Sequence, residues 1–261
     1  MIYINDIEDG RIAFYRSLRY TPKLHTDNRV FVAEEEKVVV KLLQSDIELV
    51  SIFGTKEYLE RHAGLIANNN IVEENIFTAD KLLMKQIVGY RLHSGFLAIG
   101  RQPEDVPLID LHYPLIMLNA LANAENVGSI VRNIAAFGYQ SLIYDEASVS
   151  PYLRRAVRVS MGNIFQLGVH YTNSIVEIIH TLKQSGCKII SVEISEKSQP
   201  LKEFNPDNNR YCFIFGSEGK GISPRVLELS DMTIHIPISS EVPSLNVASS
   251  SAVVLNHFSQ L

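Results

Sequence analysis

A chain of 261 residues with 46% hydrophobic and 20% charged residues can form one large or two small domains around a sizeable core. No apolar run reaches the length of a membrane-spanning helix, and Met1–Asp6 lack the basic-then-apolar order of a signal peptide. We therefore expect no membrane contact. Two cysteines without metal-ligand spacing argue against a disulfide framework and a zinc site, so we also expect no metal and a reducing cytoplasm.

The formal net charge of −5 is opposite in sign to the usual footprint of a nucleic-acid-binding protein. Two segments are nevertheless locally basic, and the candidate RNA-binding residues in them are Arg11, Arg16, Arg19, Arg29, Arg154, Arg155 and Arg158. Salt screens exposed charges beyond about 10 Å at 0.1 M, so local charge matters more than the net value. An RNA surface is one interpretation of each segment, and a solvated face is the other.

The first hundred residues alternate between predicted strands and helices. The strands are predicted at 29–33, 47–53 and 95–99, and the helices at 34–44, 55–67 and 78–88. Acidic residues in the first turn favour the helix at 34–44, and Thr55 can cap the next one. The pattern predicts a small α/β layer structure.

A domain boundary is predicted in the segment 101–107, which contains Pro103, Pro107 and mixed charge. The resulting domains are 1–105 and 106–261.

The second part shows a longer α/β alternation. Buried strands are predicted at 115–118, 141–144, 187–194, 211–215 and 232–238. Helices are predicted around 130–137, from a cap at Asn173 to Gly186, from Ser223-Pro224 onward and at 247–258. Such an alternation predicts a parallel sheet with helices on both faces.

Three loop motifs follow predicted strands, where ligands of parallel sheets bind. They are 126–133, 215–223, and 236–238 with 243–247. The glycine-rich segment 216–221 has neither the ending of a P-loop nor the dinucleotide fingerprint, so a plain turn is one interpretation. The other is a nucleoside pocket, in which glycines admit close backbone approach and Ile236, Ile238 and Leu245 form apolar walls.

Arg132 lies two positions from both Ile130 and Ile134, so it should point away from the buried face of its helix. A solvated surface arginine is the default interpretation. Its place near a helix start at a strand end favours an anion site for RNA phosphate.

In this order and spacing, the three motifs resemble the SpoU/TrmH family of S-adenosylmethionine-dependent RNA ribose methyltransferases. The family's catalytic arginine maps onto Arg132 with Asn126 as its partner, its glycine-serine-glutamate-glycine loop onto 216–219, and its serine-leucine-asparagine motif onto 244–246. The segment 160–165 also resembles the family's serine-x-glycine segment. The resemblance extends from Leu115 to the C-terminus.

The resemblance implies site residues of two further kinds. The implied catalytic residues are Arg132, Asn126, Glu218, Ser244 and Asn246. The implied cofactor-binding residues are Phe215, Gly216, Ser217, Gly219, Ile236, Ile238, Ser244, Leu245 and Asn246. It also implies a SPOUT-type parallel sheet with a C-terminal trefoil knot, a homodimer with cofactor sites near the subunit interface, and a ribosomal-protein-like N-terminal substrate-binding domain.

The expected activity is transfer of a methyl group from S-adenosylmethionine to a ribose 2′-hydroxyl of tRNA or rRNA. A non-catalytic RNA-binding or ribosome-assembly protein of the same fold and a base-methylating enzyme are the alternatives. Two departures from the family pattern are Asn123-Ala124 in place of Asp-Pro and Ala248 where serine is common. Arginine has a pKa above about 12, so Arg132 is a poor base unless perturbed, and both a base and an electrostatic role stay open.

Overall fold

The computed structural model describes residues 1–18, 22–90, 92, 94–204 and 210–259, so the candidate Arg19 lies outside the described residues. The chain divides into two compact units, one formed by 1–104 with 152–165 and the other by 105–151 with 166–261. Within the described ranges, none of the helices is long and apolar enough to cross a membrane.

The N-terminal stretch of the first unit forms a mixed sheet with helices between its strands. The strands are β1 (Ile2–Tyr3), β2 (Val30–Glu34), β3 (Leu49–Gly54), β4 (Ile76–Thr78) and β5 (Phe96–Arg101). The helices are α1 (Lys23–Asp27), α2 (Glu36–Leu43), α3 (Lys56–Arg61), α4 (Ala63–Ala67) and α5 (Lys81–Val88), with 3-10 turns at Gly10–Tyr15 and Glu73–Asn75. The strand order is β1-β4-β3-β5-β2, and β5 runs antiparallel to both of its neighbours.

Two of the predicted helices differ from the observed ones. The helix predicted at 55–67 is interrupted at His62, whose backbone leaves helical geometry between α3 and α4. The helix predicted at 78–88 begins later, because Ile76, Phe77 and Thr78 pair with β3 as strand β4. β-branched and aromatic side chains favour a strand at this point.

The second unit is built on a seven-stranded sheet in which every strand pair is parallel. In chain order its elements, together with α7 of the first unit, are β6 (Leu115–Asn119), α6 (Ala124–Ala136), β7 (Ser141–Asp145), α7 (Arg154–Val159), β8 (Gly168–Thr172), α8 (Ile175–Gln184), β9 (Lys188–Val192), β10 (Gln199–Pro200), β11 (Tyr211–Gly216), α9 (Pro224–Leu229), β12 (Met232–His235) and α10 (Val247–Phe258). Further 3-10 turns lie at Leu108–Asp110, Asn163–Gln166 and Leu201–Glu203. The order β10-β12-β9-β11-β6-β7-β8 confirms the predicted parallel sheet, while β8 and β10 escaped prediction.

Helix caps explain one departure from the family pattern and correct one expectation. The Asn123 side chain accepts hydrogen bonds from the amides of Glu125 (2.8 Å) and Asn126 (3.4 Å), so it caps α6 as an aspartate would. The cap of α8 is Ser174, which accepts from the Glu177 amide, and not Asn173.

The segment 152–165 lies in the first unit, although the sequence prediction assigned it to the second part of the chain. Its helix α7 packs against β2, and Arg154 Nη1 lies 2.8 Å from both carboxylate oxygens of Glu34, which is 4% exposed. Arg158 Nη1 lies 3.2 Å from the same carboxylate, and the Tyr90 hydroxyl donates to it. Burial and the Glu34 charge raise the pKa of Tyr90, so this hydroxyl remains a donor.

These contacts change the interpretation of two predicted RNA-binding residues. Arg154 and Arg158 face no acidic residue in their own stretch of sequence, but in the fold both face a buried carboxylate. Their charge compensates Glu34, because a buried carboxylate without a partner would be costly.

Replacing Glu34 with Gln is expected to lower the free energy of unfolding by on the order of 3 kcal/mol, because two partly buried arginines lose their counter-charge. Urea unfolding followed by circular dichroism measures the change. The control is Glu60→Gln, which removes a solvent-exposed pair with Lys56 and should cost less than about 1 kcal/mol. Equal stability of the two variants would show that the Glu34 cluster contributes nothing.

Candidate active site at the carboxyl ends of the parallel strands

A pocket of about 580 Å³ lies in the second unit, where loops leave the carboxyl ends of β9, β11 and β12. Eight of the residues predicted to bind a cofactor line it, namely Phe215, Gly216, Ser217, Gly219, Ile236, Ile238, Ser244 and Leu245. The predicted catalytic residue Glu218 lines it as well. The parallel strands bring these residues together because all their carboxyl ends meet at one edge of the sheet.

The loop after β11 is closed by its own backbone. Ser217 and Gly221 exchange two hydrogen bonds, of 3.2 and 2.8 Å, and the Lys220 amide donates to Ser217 Oγ. A side chain at Gly216 would place its Cβ 2.4 Å from backbone atoms of Gly221 and Ile222. Gly221 itself has a φ of 69°, which favours glycine. The glycines therefore permit a tight turn, and this turn forms one wall of the pocket.

Glu193 lines the same pocket, and the sequence analysis did not identify it. Its Oε2 accepts the Ile222 amide at 2.9 Å and its Oε1 the Ile194 amide at 3.2 Å. The carboxylate thus ties the loop after β9 to the turn after β11. An acidic residue one position after a buried strand, at the edge where ligands bind, was the available signal.

Asn246 joins the three sequence motifs through one side chain. Its Nδ2 donates to Asn126 Oδ1 at 3.0 Å and to Glu218 Oε1 at 2.5 Å. Its Oδ1 accepts the amides of Ala248 (2.9 Å) and Ser249 (3.2 Å), which caps α10. Three of the predicted catalytic residues, Asn126, Glu218 and Asn246, are therefore in one hydrogen-bonded chain. Asn126 and Asn246 do not line the pocket themselves.

Arg132 is exposed on α6, as its spacing predicted, and it does not line the pocket. Among the residues that the structure describes, it has no hydrogen-bond or ion-pair partner. The adjacent Asn133 donates to the Ala248 carbonyl at 2.8 Å and to Ser251 Oγ at 2.9 Å. The small residues of α10 thus allow close packing on α6 within the chain.

A second polar cluster, also missed from the sequence, lies at the ends of β6 and β7. Asp145 is 3% exposed and Asn119 is 4% exposed. Asp145 accepts hydrogen bonds from Asn119 Nδ2 (2.8 Å), the Ala120 amide (3.0 Å to each oxygen) and Ser148 Oγ (2.6 Å). Asn119 Oδ1 accepts the Ser223 amide at 2.8 Å. The only available signal was the one that also applies to Glu193, a polar residue at the carboxyl end of a buried strand.

The candidate RNA-binding arginines of the first unit form ion pairs with acids outside the basic segment. Arg11 pairs with Asp9, Arg16 with Glu8 and Arg29 with Glu104. The Arg11 and Arg29 side chains are 50% and 45% exposed, and surface pairs of this kind contribute little energy. Arg11 and Arg29 therefore remain accessible to a phosphate, whereas Arg154 and Arg158 hold Glu34. Arg155 lies on α7 beside Arg154.

Two further observations concern metal and redox chemistry. Across the described part of the chain, no group of three or more His, Cys, Asp or Glu side chains could hold a metal ion. Cys187 and Cys212 are free and buried, and burial raises the pKa of Cys187 to about 12. A thiol with such a pKa is protonated at neutral pH and unreactive.

Comparisons with known proteins match this architecture. Residues 114–256 match the model of the SpoU rRNA Methylase family. An uncharacterized tRNA/rRNA methyltransferase of Mycobacterium tuberculosis is 29% identical over 95% of this chain and 88% of its own. The 23S rRNA (guanosine(2553)-2′-O)-methyltransferase RlmP of Bacillus subtilis is 24% identical over 98% and 99%.

Solved structures show the same fold at low sequence identity. An AdoMet-bound rRNA methyltransferase from Sinorhizobium meliloti superposes with a TM-score of 0.83 at 18% identity, covering 97% of this chain and 95% of its own. An RNA methyltransferase of the TrmH family from Porphyromonas gingivalis gives 0.81 at 22% identity, covering 97% and 98%.

Gly216→Ala is expected to displace the turn after β11, because the new Cβ would overlap the backbone of Gly221 and Ile222. Gly219→Ala is the matched control, since its Cβ would meet nothing within 4 Å. Overpacking typically costs about 1–3 kcal/mol, so only the first variant should show a lower Tm and faster amide exchange in 217–222. Identical exchange in the two variants would contradict the close approach described for this turn.

Proposed function

Because the chain belongs to the SpoU rRNA methylase family, we propose that it transfers a methyl group from S-adenosylmethionine to a ribose 2′-hydroxyl of rRNA or tRNA. The observation that carries the proposal is the pocket in which the loops of two motifs meet, joined to the third motif by Asn246. The full-length relative from Bacillus subtilis is named for the same reaction on 23S rRNA.

The pocket fits the cofactor in size and chemistry. Its volume of about 580 Å³ lies within the usual range for small-molecule sites. Ile236, Ile238 and Leu245 would enclose the adenine ring, and the backbone of 216–221 would supply donors and acceptors for its edge. When bound, S-adenosylmethionine supplies an electrophilic methyl group on a sulfonium.

The chain's own groups hold the reacting partners in place. Asn246 fixes Glu218 at the pocket wall and Asn126 at the start of α6. In the transfer the 2′-oxygen would release its proton to water and take the methyl group as the methyl–sulfur bond breaks, so partial negative charge is present on this oxygen before the new bond is complete. The guanidinium of Arg132 offers a cation and a planar fork of donors, so we assign it to the RNA phosphate and the developing oxyanion.

Several finer features follow from the family and are part of the same proposal. We propose a C-terminal trefoil knot, a homodimer with cofactor sites near the subunit interface, a ribosomal-protein-like RNA-binding role for the first domain, and action in the cytoplasm. Exposed apolar side chains at Leu245 and Val253 support the dimer, and sedimentation equilibrium tests it.

The direct test of the activity combines transfer and mapping. The purified protein is incubated with methyl-labelled S-adenosylmethionine and RNA from cells lacking its gene, and ribose methylation is mapped in RNA from cells with and without it. Label at a ribose 2′-oxygen that disappears with the gene supports the proposal. Label on a base nitrogen supports base methylation, and cofactor binding without transfer supports a non-catalytic protein. Asn123, which caps α6, gives no support to this last alternative.

Arg132→Ala is expected to leave folding and cofactor affinity nearly unchanged and to reduce the rate of methyl transfer by about 10²–10³, the usual cost of removing an oxyanion donor. Arg132→Lys should restore little, because a point charge does not replace a planar fork. Arg225→Ala, which removes another exposed arginine of the same unit, is the control. Single-turnover rates measure the effect, and a near wild-type rate for the alanine variant would remove Arg132 from the mechanism.

The double variant Arg11→Gln/Arg29→Gln is expected to weaken RNA binding and to flatten its salt dependence, by about 0.7–0.9 in log–log slope for each phosphate that is no longer neutralised. Lys56→Gln/Arg61→Gln is the matched control, because it also removes two surface-paired cations from the first unit. Filter binding across a salt series provides the slopes. Equal slopes for the two double variants would return Arg11 and Arg29 to the role of solvated surface residues.

A further inference from the structure

Asp145 is a buried carboxylate for which the proposed mechanism has no use. It lies at the carboxyl end of β7 and takes its hydrogen bonds from neutral donors. Among the described residues no cation pairs with it. A buried charge of this kind persists only where several donors compensate its desolvation. These four hydrogen bonds hold two segments of the chain in place, one on each side of the carboxylate.

On one side, the carboxylate shapes the loop that leads into α6. The Ala120 amide donates to both oxygens of Asp145, and Ala120 has a φ of 58°, in the left-handed region. Such a conformation is strained for a non-glycine residue and persists only where the surrounding structure imposes it. Ser148, which donates to Asp145, also accepts the Leu121 amide at 2.9 Å and so fixes the next residue of this loop. Two residues later Asn123 caps α6, which carries Asn126 and Arg132.

On the other side, the carboxylate orients Asn119. Because Asn119 Nδ2 donates to Asp145, its Oδ1 is turned to accept the Ser223 amide. Ser223 precedes α9 and follows the glycine turn that lines the pocket. One carboxylate therefore fixes both the start of the arginine-bearing helix and the end of the glycine turn.

We propose that Asp145 is a positioning residue for methyl transfer, which acts through Asn119 and Ala120 to align α6 with the pocket loop. The inference rests on the proposed function. A displacement of reacting groups by about 1 Å can cost about 10²-fold in rate without loss of binding. Asp145 should therefore affect the rate of transfer more than the affinity for the cofactor.

The donor and acceptor pattern permits a swap experiment. In Asp145→Asn, each orientation of the new amide loses a hydrogen bond: with Nδ2 on the side of Asn119 it faces the Asn119 Nδ2, and with Nδ2 on the side of Ser148 the Ser148 hydroxyl loses its acceptor. Rotating the Asn119 amide would only move the conflict to the Ser223 amide. Adding Asn119→Asp removes it, because that carboxylate can accept from both the new side-chain amide at position 145 and the Ser223 amide. Asn119→Asp alone sets two carboxylates 2.8 Å apart and should be the worst of the three variants.

The control is Asp231→Asn. Asp231 also accepts a backbone amide, from Ile189 at 2.8 Å, and pairs with Lys183, but it lies at the amino end of β12, away from the pocket. This control tests whether removing the charge of an amide-accepting aspartate elsewhere in the same unit is enough to slow transfer. All rates are measured at a temperature where circular dichroism shows each variant to be folded.

The expected result is a single-turnover rate lowered about 10- to 100-fold in Asp145→Asn, with calorimetric affinity for S-adenosylmethionine within about threefold of wild type. The swapped variant should recover most of the rate, and Asp231→Asn should lose little. A folded Asp145→Asn with a wild-type rate, or a folded swapped variant that stays slow, overturns the inference. If Asp145→Asn does not fold, an active swapped variant supports the inference, and an inactive or unfolded one overturns it.

Amide exchange separates this inference from the proposed function. Asp145→Asn should speed exchange in 120–126 and 217–223 together, and the swap should restore both. If the wild type transfers no methyl group, the proposed function fails, and the exchange result decides whether Asp145 couples the two segments. Unchanged exchange in either segment overturns the coupling.

Discussion

The site depends on one amide side chain. Asn246 donates through Nδ2 to Asn126 at the start of α6 and to Glu218 in the turn after β11, and its oxygen accepts an amide at the start of α10. One side chain therefore connects these three segments. No other amino acid of similar size offers two donors and one acceptor in this geometry. An aspartate would keep the cap but set a second carboxylate against Glu218. Position 246 therefore requires an asparagine, because two acceptors and one donor from three separate segments surround its side chain.

Parallel pairing supplies the frame on which this convergence rests. The three motifs follow β6, β11 and β12, which lie within four consecutive positions of the sheet, so the loops that leave these strands open at one edge. The first motif is about ninety positions before the other two in the sequence, and the sheet makes them neighbours. The second set of polar contacts, around Asp145 and Asn119, lies at the buried carboxyl ends of β6 and β7.

The sequence predicted much of this, and its failures have physical causes. The fully buried strands β6 and β11 were predictable because they read as continuous apolar runs, and the helix α10 was also predicted. The edge strands β8 and β10 were missed because partial burial leaves little apolar pattern. The pocket residues were found through motif resemblance. Glu193 and Asp145 were missed because their roles come from backbone amides that only the fold brings near. The ion pair of Arg154 with Glu34 could not be predicted, because Glu34 is 120 positions away.

The placement of α7 has a consequence for how the chain is made. The N-terminal sheet is complete in sequence by residue 104, yet the two arginines that neutralise its buried Glu34 come from 154 and 158. A ribosome adding about 5–20 residues per second delivers them several seconds later. During that interval the nascent first unit lacks both the helix that packs on β2 and the two arginines that pair with Glu34. The first unit is therefore completed by a stretch of chain that follows β7, so the order of synthesis and the order of domain completion differ in this protein.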